Sequence, residues 1–204
     1  MYIPKSFRVE NRDMLFSLME EFNFATLVTI EKGIPVATHM PFLVMPDCGE
    51  QGKLLGHMAK ANPQWQSFGD QEVLVIFQGP HAYISPLWYT VHPSVPTWNY
   101  AVVHAYGIPK VIADDEVIHQ LMQTMVNRHE ASFKKPWKMD LPEDYMQGII
   151  RGTISFEICL TRIEGNFKLS QNRSIEDRIG IIKAIEHSED PKAREVAQMM
   201  RRCL

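Results

Sequence analysis

The stretch from Val73 to Pro109 reads VLVIFQGPHAYISPLWYTVHPSVPTWNYAVVHAYGIP and contains no Asp, Glu, Lys or Arg, in a chain of 204 residues with 21 basic and 24 acidic ones. An uncharged run of this length first suggests a membrane span, because about 20 consecutive apolar residues cross the hydrocarbon core. Its own residues exclude that. Five prolines (80, 86, 93, 96 and 109), His81, His92, His104 and the amides Gln78 and Asn99 leave no apolar stretch long enough. The run is instead expected to be a buried polar-aromatic region of a soluble protein. Within it, Val73–Phe77 suits a strand covered on both faces, and Thr97–Ala113 reads as a long strand with Trp98, Tyr100, Val102, His104 and Tyr106 on one face.

Further strands flank it. Phe24–Ile30 is rich in β-branched residues, and Glu31-Lys32-Gly33 reads as a three-residue connection to Ile34–Val44, with Gly33 supplying a positive φ. Lys53–His57 is a short strand after the turn Pro46–Gly52. Ile154, Phe156, Ile158 and Leu160 alternate with Ser155, Glu157, Cys159 and Thr161, the clearest period-two pattern in the chain. Asn11 or Asp13 can cap a first helix, Asp114 a second, Ser174 with Asp177 a third, and Asp190-Pro191 a fourth. Residues 59–68 read as a short helix or loop, and 131–148 as a loop with little regular structure. About six antiparallel strands, never alternating with helices as βαβ units, predict an α+β barrel rather than a doubly wound sheet. There are no internal repeats.

With 45% hydrophobic residues the chain can build a core, and a net charge of −3 creates no field of the kind that recruits DNA non-specifically. The N-terminus lacks an apolar targeting segment, and Cys48, Cys159 and Cys203 form no CxxC pair. A cytoplasmic protein with reduced thiols, without a membrane partner, is expected.

The GxSxG, P-loop, HExxH and GxGxxG signatures are absent, and no catalytic residue is assigned. Three clusters remain. The first joins Thr38, His39 and Met40 to the turn that holds Gly56, His57, Ala59, Lys60 and Asn62, where backbone N–H groups, an imidazole, a cation and an amide suit a phosphate; the alternative is a turn shaped by Gly56 and Pro63 with a solvated lysine. The second is the uncharged run, whose aromatic walls and few polar groups suit a planar heteroaromatic ligand, a homodimer interface, or both. The third is Lys168-Leu169-Ser170-Gln171-Asn172-Arg173, either a second anion or polar-ring contact or a hydrophilic loop that starts a helix. The histidines form no tight HxH or HxxxH pair, so no metal site is assigned.

The sequence resembles the PaiB family of FMN-binding split-barrel proteins. The resemblance rests on Met1–Pro4 and Phe7, His39–Phe42, Gly56–Ala59, Ala61–Trp65, Gln78–Ser85, Val95–Tyr100, His104–Gly107 and Lys168–Arg173. It implies a six-stranded antiparallel split barrel with peripheral helices and a helical C-terminus, forming a homodimer with a flavin site at the dimer interface. It also implies negative regulation of protease and sporulation genes. Carried onto this sequence, Thr38, His39 and Met40 would run along the isoalloxazine ring, the Gly56–Asn62 turn would hold the phosphate, and Trp98, Asn99, Lys168, Ser170 and Gln171 would come from the partner or the rim. Residues 1–170 would form the barrel domain and 171–204 a helical extension packed on it. Two functions follow as expectations, a flavin-sensing transcriptional regulator and an FMN-dependent oxidoreductase related to pyridoxamine phosphate oxidases; a third, a heme-handling barrel, rests on the histidines alone. Direct DNA contact lacks support in the charge pattern, since the basic residues fall in small groups (134, 135 and 138; 192, 194, 201 and 202).

Overall fold

A computed structural model describes residues 1–204. Eight strands are present: β1 (Arg8–Val9), β2 (Phe24–Glu31), β3 (Ile34–Pro41), β4 (Leu43–Met45), β5 (Lys53–Ala59), β6 (Val73–Ile84), β7 (Thr97–Val111) and β8 (Thr153–Lys168). Five helices accompany them: α1 (Arg12–Glu21), α2 (Asp115–Glu130), α3 (Glu143–Arg151), α4 (Ile175–Ile185) and α5 (Pro191–Arg202). The sheet runs β3-β2-β6-β7-β8-β5-β4, with β1 pairing β8, and it is open, ending at β3 and β4. The class is α+β as expected; the six-strand count and barrel closure are corrected. The expected strand 34–44 divides because Pro41 brings no N–H to continue the ladder, and Leu43–Met45 pairs with β5 instead of β2.

Three other expectations change. The β2–β3 hairpin turns on two residues, Lys32 (φ 50°) and Gly33 (φ 81°), both left-handed as a tight primed turn requires. β6 continues through Pro80 to Ile84, because β2 pairs only with its first half, Leu74–Ile76, so the proline interrupts no ladder there. Residues 143–151 form a helix: Met146 and Ile150, one turn apart, are buried with Ile118 and Met122 of α2.

The chain divides into two compact units. The first comprises residues 1–22, 77–104 and 163–204, the second 23–76 and 105–162. In the first, Met19, Phe77, Ile84, Leu169, Ile181 and Met200 are buried, and the buried face of β7 here carries the small or polar Asn99, Ala101 and Val103. In the second, Leu27, Leu54, Val75, Phe156 and Ile158 are buried, and the Phe156 ring meets those of Phe42 and Phe68 edge-on at 6.3 and 5.0 Å. Gly107 is required on β7, because a Cβ there would lie 2.4 Å from the Cys159 carbonyl oxygen. The helix caps follow the sequence: Asn11, Asp114, Ser174 and Asp190 each accept from a backbone N–H of the first turn.

The uncharged run is less buried than its composition suggests. One face of each strand is covered, while Tyr83, Leu87, Val91, Val95 and Trp98 are exposed. No helix is long and apolar enough to cross a membrane.

Candidate functional site

The first predicted cluster lies in the second unit. Strand alternation sends Met40 into the core and leaves His39 exposed, with Thr38 between the two extremes. His39 Nδ1 lies 2.9 Å from Thr26 Oγ1 across the ladder. After β5, Asn62 caps a short 3-10 turn: its Oδ1 accepts from Gln64 N at 3.0 Å, and its Nδ2 donates to Thr38 Oγ1 at 3.0 Å. That amide ties the turn to β3 and brings Thr38 and Asn62 together. Lys60 and Ala59 are exposed, the backbone N–H of Lys60 donating to Gly152 O and its carbonyl accepting from Trp65 Nε1.

Gly56 and His57, as neighbours on one strand, face opposite sides. A Cβ on Gly56 would meet Met40, Phe156 and Phe42 at 3.1–3.2 Å, so packing of the core accounts for that glycine. His57 faces the other way, half-buried, and its buried Nδ1 has no hydrogen-bond partner. Burial also lowers its pKa below the ordinary 6.5, so the ring is neutral at pH 7. A phosphate at this turn would therefore meet a neutral donor at His57 and a full cation only at Lys60.

Gln64, given no role by the sequence reading beyond its place in a motif, is fully buried. Its Nε2 donates to Leu27 O, Thr29 Oγ1 and Val36 O at 3.1–3.3 Å, fastening β2 and β3 to the turn. The only available signal was an amide next to Pro63, which marks a turn but not a lock.

The remaining predicted residues lie in the first unit, and most of them converge. Lys168 Nζ donates to Trp98 O at 2.6 Å and to Thr97 Oγ1. Asn99, with no exposed surface, exchanges hydrogen bonds with Ser170 Oγ at 3.0 and 3.1 Å and donates to Met200 Sδ at 3.4 Å. Ser170 is buried in the left-handed region at φ 64°, a conformation a serine holds only when its surroundings fix it. Gln171 folds back on its own strand end, accepting from Leu169 N and donating to Phe167 O. Trp98 is half exposed beside His81 and Tyr83, with ring centroids 6.1 and 6.0 Å away, and the buried Nδ1 of His81 has no partner.

Elsewhere, several cations are already engaged. Arg201 pairs with Glu186, and Arg194 donates to the Ser188 and Glu189 carbonyls at 2.6 and 3.0 Å, which reduces the basic surface of the C-terminal helices. No group of three or more His, Cys, Asp or Glu residues is placed to hold a metal.

The open antiparallel sheet flanked by helices places the chain in an α+β class shared with flavoproteins. The FAD and heme binding protein of Mycobacterium smegmatis has this fold (TM-score 0.62, 15% identity, covering 84% of this chain and 78% of that one). So does the flavocytochrome Anf3 of Azotobacter vinelandii (TM-score 0.60, 11% identity, 81% and 72%). Within that class, the chain belongs to the family described as Putative FMN-binding domain, which matches residues 1–162. It is 39% identical to the protease synthase and sporulation protein PAI 2 of Bacillus subtilis (strain 168), over 98% of this chain and 96% of that one. It is also 31% identical to the uncharacterized protein AN0679 of Emericella nidulans, over 81% and 80%.

Proposed function

We propose that the chain is an FMN-binding regulatory protein that works as a homodimer. Membership of the FMN-binding family across residues 1–162 is the observation that carries this reading. The donor set fits a flavin: neutral His57 with a buried nitrogen lacking a partner, exposed Lys60, and the Thr38–Asn62 pair offer hydrogen bonds and one cation to a ring edge and phosphate. In this assignment β3 and the 59–62 turn of one protomer hold the flavin, and the partner contributes its Trp98 and Lys168–Ser170 corner. When bound, FMN supplies redox chemistry, and the protein's part is to orient it and control its protons.

Dimerisation is supported by two exposed apolar surfaces. β3 is an edge strand with Ile34 65% exposed, and Leu87, Val95 and Trp98 of the first unit are exposed by 86, 69 and 53%. The regulatory role follows the Bacillus subtilis relative, whose name links it to protease synthesis and sporulation. Indirect regulation through a partner or metabolite suits the engaged arginines better than direct DNA contact; promoter DNA should show no retardation at low salt, with or without FMN.

The deciding experiment is the absorbance spectrum of freshly purified protein together with its mass in solution. A bound-flavin spectrum and twice the chain mass support the reading; colourless monomer that leaves FMN fluorescence unchanged refutes it. An FMN-dependent oxidoreductase is the second reading, favoured by His57, whose neutral imidazole can accept or donate a proton near pH 7. Dye reduction by a nicotinamide donor at a rate above that of free FMN would favour it.

A further inference from the structure

In the first unit a cavity of about 130 Å³ is lined in part by Tyr89, Thr97, Asn99, Lys168, Ser170 and Arg173. Two cations border it, and no carboxylate is among its lining residues. Lys168 donates only to neutral oxygens, those of Thr97 and Trp98, and burial lowers its pKa, as expected of a cation without an anionic partner. Arg173 donates to Ser94 Oγ at 3.3 Å, and its guanidinium carbon lies 4.4 Å from the centroid of the Tyr89 ring.

The acid near Arg173 is Asp177, which is buried and already satisfied. It accepts from Thr90 N at 2.6 Å and Thr90 Oγ1 at 2.8 Å. Burial pushes its carboxyl up, but the hydrogen bonds from Thr90 and Val91 and the charge of Arg173 outweigh that and hold the pKa below its usual value. Tyr89 supplies the independent sign of a ligand. It is only 4% exposed, and its buried hydroxyl has no well-aligned hydrogen bond: Arg173, 4.4 Å from the ring centroid, approaches the oxygen closely enough to favour its ionised form, but burial outweighs this and raises the phenol's pKa. A buried hydroxyl is normally paired, and its natural complement beside two cations is an anionic oxygen.

We propose that this cavity is an oxyanion site that takes a small carboxylate or phosphate group, held by the charges of Lys168 and Arg173 and by a hydrogen bond from the Tyr89 hydroxyl. The volume suits such a group better than an isoalloxazine ring; the site shares Lys168 and Ser170 with the corner assigned above to the flavin, but it needs no bound flavin. It gives the protein a means of recognising an acidic metabolite or the acidic end of a substrate.

The test is calorimetric titration of flavin-free protein with sodium acetate and, separately, inorganic phosphate, against chloride at equal ionic strength. Saturable binding of either is expected, and the anion that binds identifies the source. Lys168→Met and Arg173→Gln should each weaken it at least about tenfold, as loss of a charged hydrogen bond implies. Tyr89→Phe, which keeps the ring and hence the packing, should weaken it by about three- to tenfold. No saturable binding of either anion, or unchanged binding in both Lys168→Met and Tyr89→Phe, overturns the proposal. Displacement of the anion by FMN but not by riboflavin would also overturn it, by making the cavity the phosphate end of the flavin site. Failure here leaves flavin titrations intact, and failure of flavin binding leaves these anion titrations intact.

Discussion

The turn after β5 and the corner between β7 and the end of β8 are built from similar residue types, yet they use them differently. At the turn, Asn62 and Gln64 direct their amide hydrogens to protein oxygens, and the unpartnered atoms, His57 Nδ1 and Gln64 Oε1, belong to neutral groups. At the corner, the amide of Asn99 is likewise satisfied, but Lys168 and Arg173 border a cavity without a carboxylate among its lining residues, and the buried Tyr89 hydroxyl has no well-aligned partner. Polar residues that close on one another build the fold; polar residues left without a complement mark where something else binds.

Substitutions can break this contrast. The largest effect is expected at Asp177, where Asp177→Ala strands the Thr90 N–H and hydroxyl and should cost about 3 kcal/mol in urea unfolding. Gln64→Ala should follow at about 2 kcal/mol, since it releases the β2 and β3 oxygens together. Asn62→Ala loses a cap and the Thr38 bond and should cost about 1 kcal/mol. Lys168→Met, by contrast, should change stability by less than about 0.5 kcal/mol in anion-free buffer, because no buried partner is abandoned. If Lys168→Met were as damaging as Gln64→Ala, Lys168 would be a structural lock like Gln64.

A smaller effect is expected from pH. His57 has a folded pKa below its unfolded 6.5, so the unfolded chain binds more protons between those values. The stability it contributes is complete above pH 6.5 and falls as pH drops from there toward the folded pKa. His57→Gln should flatten that part of the stability profile measured by urea unfolding at successive pH values; an unchanged slope would show that the ring is not desolvated.

The sequence revealed most where the chemistry is local. The caps at Asn11, Asp114, Ser174 and Asp190, the β2–β3 hairpin and the alternation of β8 all depend on residues within a few positions of one another. α3 was not legible, because Pro142, Gly148 and Gly152 look like loop punctuation and the stripe of Met146 and Ile150 has meaning only against Ile118 and Met122. The extension of β6 through Pro80 was hidden for the same reason: it depends on where β2 stops pairing. In the candidate site, residue types singled out the Lys168–Ser170 corner, where Lys168 meets Trp98 O and Ser170 meets Asn99. Gly56 suggested close approach to a ligand, whereas its missing side chain makes room for Met40, Phe42 and Phe156. Tyr89 was marked only as one aromatic of the uncharged run, since its place beside Lys168 and Arg173 depends on residues far along the chain.

The central claim is that the chain binds FMN, and the most direct test is titration of FMN into the purified protein while flavin fluorescence is followed, with riboflavin in parallel. A saturable change is predicted, with Lys60→Ala and Asn62→Ala together weakening FMN far more than riboflavin, which has no phosphate. Fluorescence that stays unchanged with both flavins would contradict flavin binding, and equal losses for both would contradict the assignment of the phosphate to the turn after β5.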